Sequence, residues 1–253
     1  MPVLTRPAAP WFRRLGNRAD PRFRLFCFHH AGGSASVYRG WPALMPESIE
    51  PIAIQLPGRE NRITEQPYDR MEPLVEALVA AFAPVCDIPF AFFGSSMGAQ
   101  VALAVTRALA GRGLRLPGAL FVASSAAPSL DMPVRGWNEP TEGLIGYVRD
   151  IGGTPEEIIS NAEYLADLLP VLRADLTVIG THRYRQAIAL PVPIHAFAGR
   201  NDQEATAERM RPWALESAAS FDLEVVEGGH FFEPAGQRRV IEAVSRELSS
   251  PAQ

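Results

Sequence analysis

Three features of the sequence predict a doubly wound α/β fold with a mostly parallel sheet. Short apolar runs alternate with segments of helical periodicity along most of the chain, the pattern of strands joined by crossover helices. One apolar run, 90–93, enters the tight turn Gly94-Ser95-Ser96-Met97-Gly98 and leaves it in a helix-forming stretch. That is the setting in which a Gly-x-Ser-x-Gly turn acts as a nucleophile elbow. The alternation then breaks once, because the residues between Ala123 and Val192 far outnumber the dozen or so that a parallel crossover needs.

Composition bounds the rest. At 253 residues, with 47% hydrophobic and 21% charged side chains, the chain resembles a soluble globular protein and has the length of one large α/β domain or two small ones. We divide it into an N-terminal arm, 1–22, and a single domain, 23–253, with a lid insertion at about 126–190. The net charge of −4 is too small to argue for nucleic acid or an anionic membrane as partner. Cys27 and Cys86 lie in or beside apolar segments without metal-ligand spacing; they read as buried thiols, and no metal site is expected. No apolar run reaches signal-peptide or membrane-span length, so the expected location is cytoplasmic.

Taken in order, residues 1–22 contain Pro2, Pro7, Pro10 and Pro21 and read as an extended arm that Trp11 and Phe12 pin to the domain. The run 24–29 (RLFCFH) is the first buried strand, ending in the glycine-rich turn His30-Ala31-Gly32-Gly33. A short helix over 38–44 leads to a second strand, 49–56, and the turn Leu56-Pro57-Gly58-Arg59. Met71, Leu74, Val75, Leu78, Val79 and Phe82 recur at helical spacing within 70–85, which makes that segment an amphipathic crossover helix. The elbow strand and a helix over about 97–111 follow, then strands over 118–123, 192–198 and 221–226 and a closing helix over 238–248. Inside the insertion, Thr154-Pro155-Glu156-Glu157 has the form of a capping box with proline at the first helical position. Leu165, Leu168, Leu169, Leu172, Leu176 and Ile179 keep helical spacing beyond it, with Pro170 expected to kink or divide the run. An insertion of this size at the catalytic edge of the sheet is most simply a lid.

The elbow sets the chemistry. Only Ser96 has glycine both two residues before and two after, as a sharp turn against neighbouring backbone requires, so Ser96 rather than Ser95 is the candidate nucleophile. A serine hydroxyl needs a base, and the base needs an orienting group. His230 follows the last strand in a Gly228-Gly229 turn, at the strand end where open α/β sheets hold their sites. His195 lies within a strand and reads as a satisfied core residue, His182 is in the insertion, and His29 and His30 would invert the Ser…Asp…His order. Asp202 follows the 192–198 strand and is the better candidate acid; Asp131, several residues into the insertion, is the weaker one. Oxyanion donors are expected from the backbone N–H of Met97 and, in the early glycine turn, of Ala31.

The segments FHHAGG with Tyr38 and Trp41 after it, LPGRE, FFGSSMGA, GGTPEEI, LLPVLRADL and GGHFF occur in this order from about Leu25 to Leu248. Together they resemble the type II thioesterases, editing hydrolases that accompany polyketide synthases and nonribosomal peptide synthetases. The resemblance implies an α/β-hydrolase fold with a helical lid, a triad of Ser96, Asp202 and His230, and no cofactor of the enzyme's own. It also implies a substrate thioester on the phosphopantetheine arm of an acyl or peptidyl carrier protein. Ser95 stands where that family commonly has histidine. Carrier proteins are generally acidic, so Arg59, Arg62, Arg183 and Arg185 are candidates for docking. Two other readings share the residues: a carboxylesterase or medium-chain acyl hydrolase with the same triad, and a non-catalytic scaffold of the same fold.

Overall fold

Strict alternation of side chains lets one set of strands build two cores. In β2 (Phe23–Phe28), Phe26 and Phe28 face one way and Leu25 and Cys27 the other, and none of the four is more than 2% exposed. The first face joins Ile52 and Ile54 of β3 (Ile49–Ile54), Phe90 and Phe92 of β4 (Phe90–Ser95), and the apolar stripes of α1 (Met71–Phe82) and α2 (Met97–Gly111). Aromatic rings fill it, Phe26 meeting Phe82 edge-on at 4.8 Å and Phe92 at 6.1 Å between centroids. The second face joins Ala91, Phe93, Phe121 and Phe197 to Val240, Ile241, Val244 and Leu248 of α7 (Pro234–Ser249). Helices on both faces make the sheet doubly wound.

The structure is a computed structural model that describes residues 10–82, 85–130, 132–185 and 188–249. With β1 (Phe12–Arg14), β5 (Leu120–Ala123), β6 (Ile194–Gly199) and β7 (Phe221–Val226), the strands form one sheet in the order β1-β3-β2-β4-β5-β6-β7. All neighbours run parallel except β1, which is antiparallel to β3. This is the α/β-hydrolase architecture that the sequence predicts. Between β5 and β6 lie α3 (Thr141–Ile151), α4 (Glu156–Ile159) and α5 (Ala162–Thr181); α6 (Ala207–Met210) follows β6. The insertion has its own small core of Leu144, Tyr147, Val148, Ile159, Leu172 and Leu176, while Val178 near the end of α5 belongs to the core beneath the sheet. No helix among the described residues is long and apolar enough to cross a membrane.

Several local expectations are corrected. Residues 12–14, assigned by sequence to an extended arm, are an edge strand, because Phe12 pairs with Ile54 and buries its ring against Phe26 and Phe82. The helix expected over 38–44 is two short 3₁₀ turns, Ala35–Tyr38 and Trp41–Leu44. The capping box does not form: Gly152 and Gly153 both have positive φ and Pro155 is extended, so α4 starts only at Glu156 and no side chain caps it. Asn161 caps α5 instead, its Oδ1 accepting from the N–H groups of Glu163 and Tyr164 at 3.0 and 3.1 Å. The helix α5 continues through Pro170. Both Pro170 and Ala166, whose carbonyl loses its partner, lie on the exposed face, where water can replace the missing bond.

Cys27 is buried as expected, whereas Cys86 is only half-buried; both are free thiols. Burial pushes the Cys27 thiol well above its ordinary range and Cys86, despite the opposing charges of Arg115 and Arg24, up to about 11. A rise of two units from the ordinary 9.0 leaves about 100-fold less thiolate at pH 8. Iodoacetamide at pH 8 is therefore expected to alkylate both cysteines far more slowly in the native protein than in concentrated urea, as read by mass spectrometry. Fast native labelling of either would contradict this assignment.

Candidate active site

A side chain at Gly94 or Gly98 would collide with backbone, and that constraint builds the elbow. A Cβ on Gly94 would lie 2.5 Å from Ala99 N, and one on Gly98 2.6 Å from the Phe28 carbonyl carbon and 2.7 Å from His29 O. Between them β4 ends and α2 begins, which forces Ser96 to φ +54° and ψ −118°, a conformation that side chains rarely adopt. Its N–H donates to Ala123 O at 2.8 Å, and its carbonyl accepts from Ala99 N–H at 3.0 Å. The Ser96 side chain is thus held at the carboxyl end of the sheet by bonds to both neighbouring elements.

Two later loops bring their residues to it. Asp202 lies in the turn after β6, 4% exposed. Its Oδ1 accepts from the N–H groups of Glu204 and Ala205 at 2.8 and 3.0 Å, and its Oδ2 lies 3.0 Å from His230 Nδ1. Across the ring, His230 Nε2 lies 2.9 Å from Ser96 Oγ. A carboxylate only accepts, so Nδ1 carries the proton and Nε2 is left as an acceptor for the serine hydroxyl. Burial alone would raise the Asp202 carboxyl. The bond to His230 and its charge, with the N–H groups of Ala205 and Glu204, outweigh burial and hold it below the ordinary range, so it is ionised at neutral pH.

The other candidates lie elsewhere. Asp131 lies outside the described residues. His195 stacks on Phe121 at 5.0 Å, with its Nδ1 2.5 Å from Asp222 Oδ1, while His182 sits 3.5 Å from Glu72. His29 is 1% exposed and donates from Nδ1 to His30 O at 2.8 Å. His30 borders the site, where burial, the charge of His230 and that of Arg59 lower it to about 4. It is neutral at physiological pH.

The glycine turn approaches Ser96 from β2. Gly33 N–H donates to His30 O at 3.0 Å, and Gly32 takes φ +74°, the positive value that the third residue of a type II turn needs. In the trans peptide joining His30 to Ala31, the N–H of Ala31 points opposite to that engaged carbonyl. Met97, whose N–H begins α2, stands on the other side of the elbow. Two cavities meet here, of about 520 and 330 Å³, and Ser96, Tyr147 and His230 line both. Among the described residues no three His, Cys, Asp or Glu side chains gather as a metal site.

A strained strand–helix turn with this Ser–His–Asp line, beside a helical insertion, can be set against known proteins. The profile of the thioesterase domain matches residues 23–248. The chain belongs to the thioesterase family. It is 35% identical to the gramicidin S biosynthesis protein GrsT of Aneurinibacillus migulanus, over 94% of this chain and 93% of that one. The structure matches RedJ, a thioesterase from the prodiginine biosynthetic pathway in Streptomyces coelicolor, with a TM-score of 0.87 and 33% identity over 98% of this chain and 97% of the other. It also matches BorB, the type II thioesterase of the borrelidin biosynthetic cluster, with a TM-score of 0.87 and 29% identity, covering 96% and 100%.

In this thioesterase two of the basic residues expected to dock a partner do something else. Arg59 and Arg62 are 6% and 4% exposed: Arg59 forms a two-bond ion pair with Asp175 of α5 at 2.6 and 2.8 Å, and Arg62 binds Gln55 O and Glu65 beneath the Trp11 ring. Arg183 and Arg185 are exposed, beside His182 and Tyr184 of the smaller cavity. Reading by residue type also passes over Tyr147 and Phe231. Tyr147 is 7% exposed at the junction of the cavities, and Phe231 packs on His30 and His230 at 4.9 and 5.5 Å, with Gly153 of the insertion against its edge. An aromatic directly after the candidate base was the available signal for the second.

Because Gly98 abuts main chain rather than a movable side chain, Gly98→Ala is expected to cost about 3 kcal/mol or more. Urea denaturation would show the midpoint falling with little change in slope, and a wild-type midpoint would contradict the close-approach account.

Proposed function

We propose that this thioesterase hydrolyses acyl or aminoacyl thioesters on the phosphopantetheine arm of acyl or peptidyl carrier proteins, clearing stalled or misprimed polyketide or nonribosomal peptide chains. The observation that carries the reading is the 2.9 Å approach of His230 Nε2 to Ser96 Oγ where two cavities meet. A nucleophile at such a junction can hold the arm on one side and the acyl chain on the other. Relatives in gramicidin S, prodiginine and borrelidin biosynthesis support the carrier-bound substrate class. A cytoplasmic setting fits the two free cysteines.

In this scheme His230 Nε2 takes the Ser96 proton as Oγ attacks the thioester carbonyl carbon, and Asp202 stabilises the imidazolium that forms. The negative oxygen is met by the N–H groups of Met97 and Ala31. The C–S bond then breaks and the sulfur of the arm leaves with the proton from His230. Water, deprotonated by the same nitrogen, attacks the acyl-enzyme, releasing the acid and restoring Ser96. The phosphopantetheine belongs to the substrate, and no cofactor enters.

The cavities differ in chemistry, and we assign them accordingly. Met71, Met97, Ala127, Pro128, Val134 and Ile179 line the smaller one, which suits an acyl chain. Ser34, Ser36 and Arg39 stand at the larger one, which suits the amide-rich arm and its phosphate. Arg39 is exposed and makes no ion pair among the described residues, so it replaces Arg59 and Arg62 as the candidate for an acidic carrier.

Ser96→Ala is expected to abolish labelling by a fluorophosphonate and to lower kcat for an acyl-carrier thioester about 10⁴-fold or more; Asp202→Asn should lower it about 10³–10⁴-fold. Labelling that survives in Ser96→Ala, or a decisive preference for p-nitrophenyl esters over acyl-carrier protein and acyl-CoA, would overturn the reading. Arg39→Glu is expected to raise KM several-fold for acyl-carrier protein and to leave that for an N-acetylcysteamine thioester unchanged. Equal effects on both substrates would remove Arg39 from docking.

A further inference from the structure

The glycine turn that would supply one oxyanion donor is held from behind by a buried ion pair, and one partner of that pair belongs to the insertion. Asp175 lies on α5, 1% exposed, on the stripe it shares with Leu168, Leu172 and Ile179. One of its oxygens, Oδ2, accepts both from Gly32 N–H at 2.8 Å and from Arg59 Nη1 at 2.6 Å; Oδ1 accepts from Arg59 Nη2 at 2.8 Å. The same Arg59 Nη1 donates to Gly33 O at 3.0 Å. Arg59 is itself fixed by its own turn, donating from Nε to Pro57 O at 3.2 Å, while Gln55 bridges Arg59 O and Ala35 N–H at 3.0 and 2.7 Å.

These bonds use up the peptide groups around Ala31. His30 O takes Gly33 N–H and His29 Nδ1, Gly32 N–H is taken by Asp175, and Gly33 O by Arg59. Two peptide planes flanking Ala31 are therefore fixed, and the direction of the Ala31 N–H follows from them. Gly32 faces α5 closely: a Cβ there would lie 3.2 Å from Leu172 Cδ1 and 3.3 Å from Leu168 Cδ1, so a side chain at this position would crowd the helix that carries Asp175. An oxyanion donor has value only when it is held in place before charge develops. Replacing both partners of a buried pair by apolar side chains is often neutral for the pair itself, but here Gly32 N–H and Gly33 O would lose their partners too, so stability and catalysis have to be read separately.

We infer that Asp175 and Arg59 are positioning residues for the reaction: through Gly32 and Gly33 they aim the Ala31 N–H at the developing oxyanion, so that α5 of the insertion is a fixed part of the catalytic apparatus. The inference rests on the reading of Ser96 as nucleophile and Ala31 as oxyanion donor. Three variants test it, Asp175→Asn, Arg59→Lys and the apolar pair Arg59→Met/Asp175→Leu, each measured for Tm, for kcat and KM on a soluble acyl thioester, and for inhibition by an acyl trifluoromethyl ketone, whose serine adduct carries an O⁻ at the same position. The paired variant is expected to stay folded with a lowered Tm, because Gly32 N–H and Gly33 O lose their partners, and to lose about 10²-fold in kcat with KM little changed, measured well below that Tm. Trifluoromethyl ketone affinity should fall by a similar factor, and Arg59→Lys, which keeps the charge and part of the bonding, should fall between it and wild type. Wild-type kcat in any folded variant, a loss confined to KM, or unchanged ketone affinity overturns the inference. Should the larger substitutions fail to fold, Arg59→Lys with wild-type kcat and ketone affinity overturns it alone. Ser96→Ala in the same assay separates the two failures: a dead Ser96→Ala beside fully active clamp variants sinks only the clamp, whereas an active Ser96→Ala sinks the reading on which it rests.

Discussion

Backbone running against backbone at positions 94 and 98 is the constraint on which the site depends. With no side chain at either glycine, the end of β4 and the first turn of α2 close on the end of β2, and the strained Ser96 stands at the tip of the turn, facing His230. The same approach brings the glycine turn after β2 beside the start of α2, so the two backbone segments from which an oxyanion could be met are neighbours for the reason that makes the elbow sharp. Strain of this sort, of order 1–3 kcal/mol, persists because the parallel ladder from β2 through β4 to β5 over-determines the backbone on both sides.

Buried charge fixes what the sheet does not. The insertion has few contacts of its own with the sheet, yet it is tied down where it touches the catalytic edge. Asp175 joins α5 to Arg59 and the glycine turn. Beyond the end of α5, the hydroxyl of Tyr184 donates to Glu216 Oε1 at 2.6 Å, and the other oxygen of that fully buried carboxylate receives Arg107 of α2. Apolar packing can slide by a turn at modest cost, but an ion pair out of water cannot, because the misplaced partner is left uncompensated. One ion pair at Asp175 and one hydrogen bond from Tyr184 to a buried, ion-paired carboxylate tie the middle and the exit of the insertion to the rest of the domain.

The sheet and the hydrogen-bonded line of Ser96, His230 and Asp202 were legible because their signals are local. A strand buried on both faces reads as a continuous apolar run, as 24–29 and 90–93 do, and the elbow announces itself through two glycines. Asp202 and His230 were findable from the strand ends they follow. What escaped depended on partners distant in sequence. The segment Phe12-Arg13-Arg14 has one apolar residue in three, and nothing in it reveals that β3 needs an edge. Arg59 and Arg62 read as surface charge because a side chain's type does not show what lies over it. One sign was present: Asp175 stands in phase with Leu168, Leu172 and Ile179, and a carboxylate on an apolar stripe demands a buried cation. Thr154 has the spacing of a cap, but Gly152 and Gly153 turn the chain before it can act. Ser95, where the resemblance leads one to expect histidine, is the last residue of β4 and pairs with Ala123, outside the Ser96–His230–Asp202 line.

If the larger cavity holds the arm, as proposed, binding of the arm and cleavage of its thioester depend on one helix. Leu168 and Leu172 line the larger cavity and stand beside Gly32, where a Cβ would lie 3.3 and 3.2 Å from them, so a substitution there that reshapes the cavity also changes the packing around the glycine turn. A change in α5 that merely widened this cavity would alter KM for arm-bearing substrates alone. One that shifted the turn would lower kcat for every substrate, including those too small to reach the altered wall. The second outcome is the one the proposal expects, because side chains of one helix line the larger cavity and hold the glycine turn through Asp175. Changes in acyl preference that spare kcat are more accessible from the opposite cavity, where Ala127, Pro128 and Val134 line the wall without touching the glycine turn.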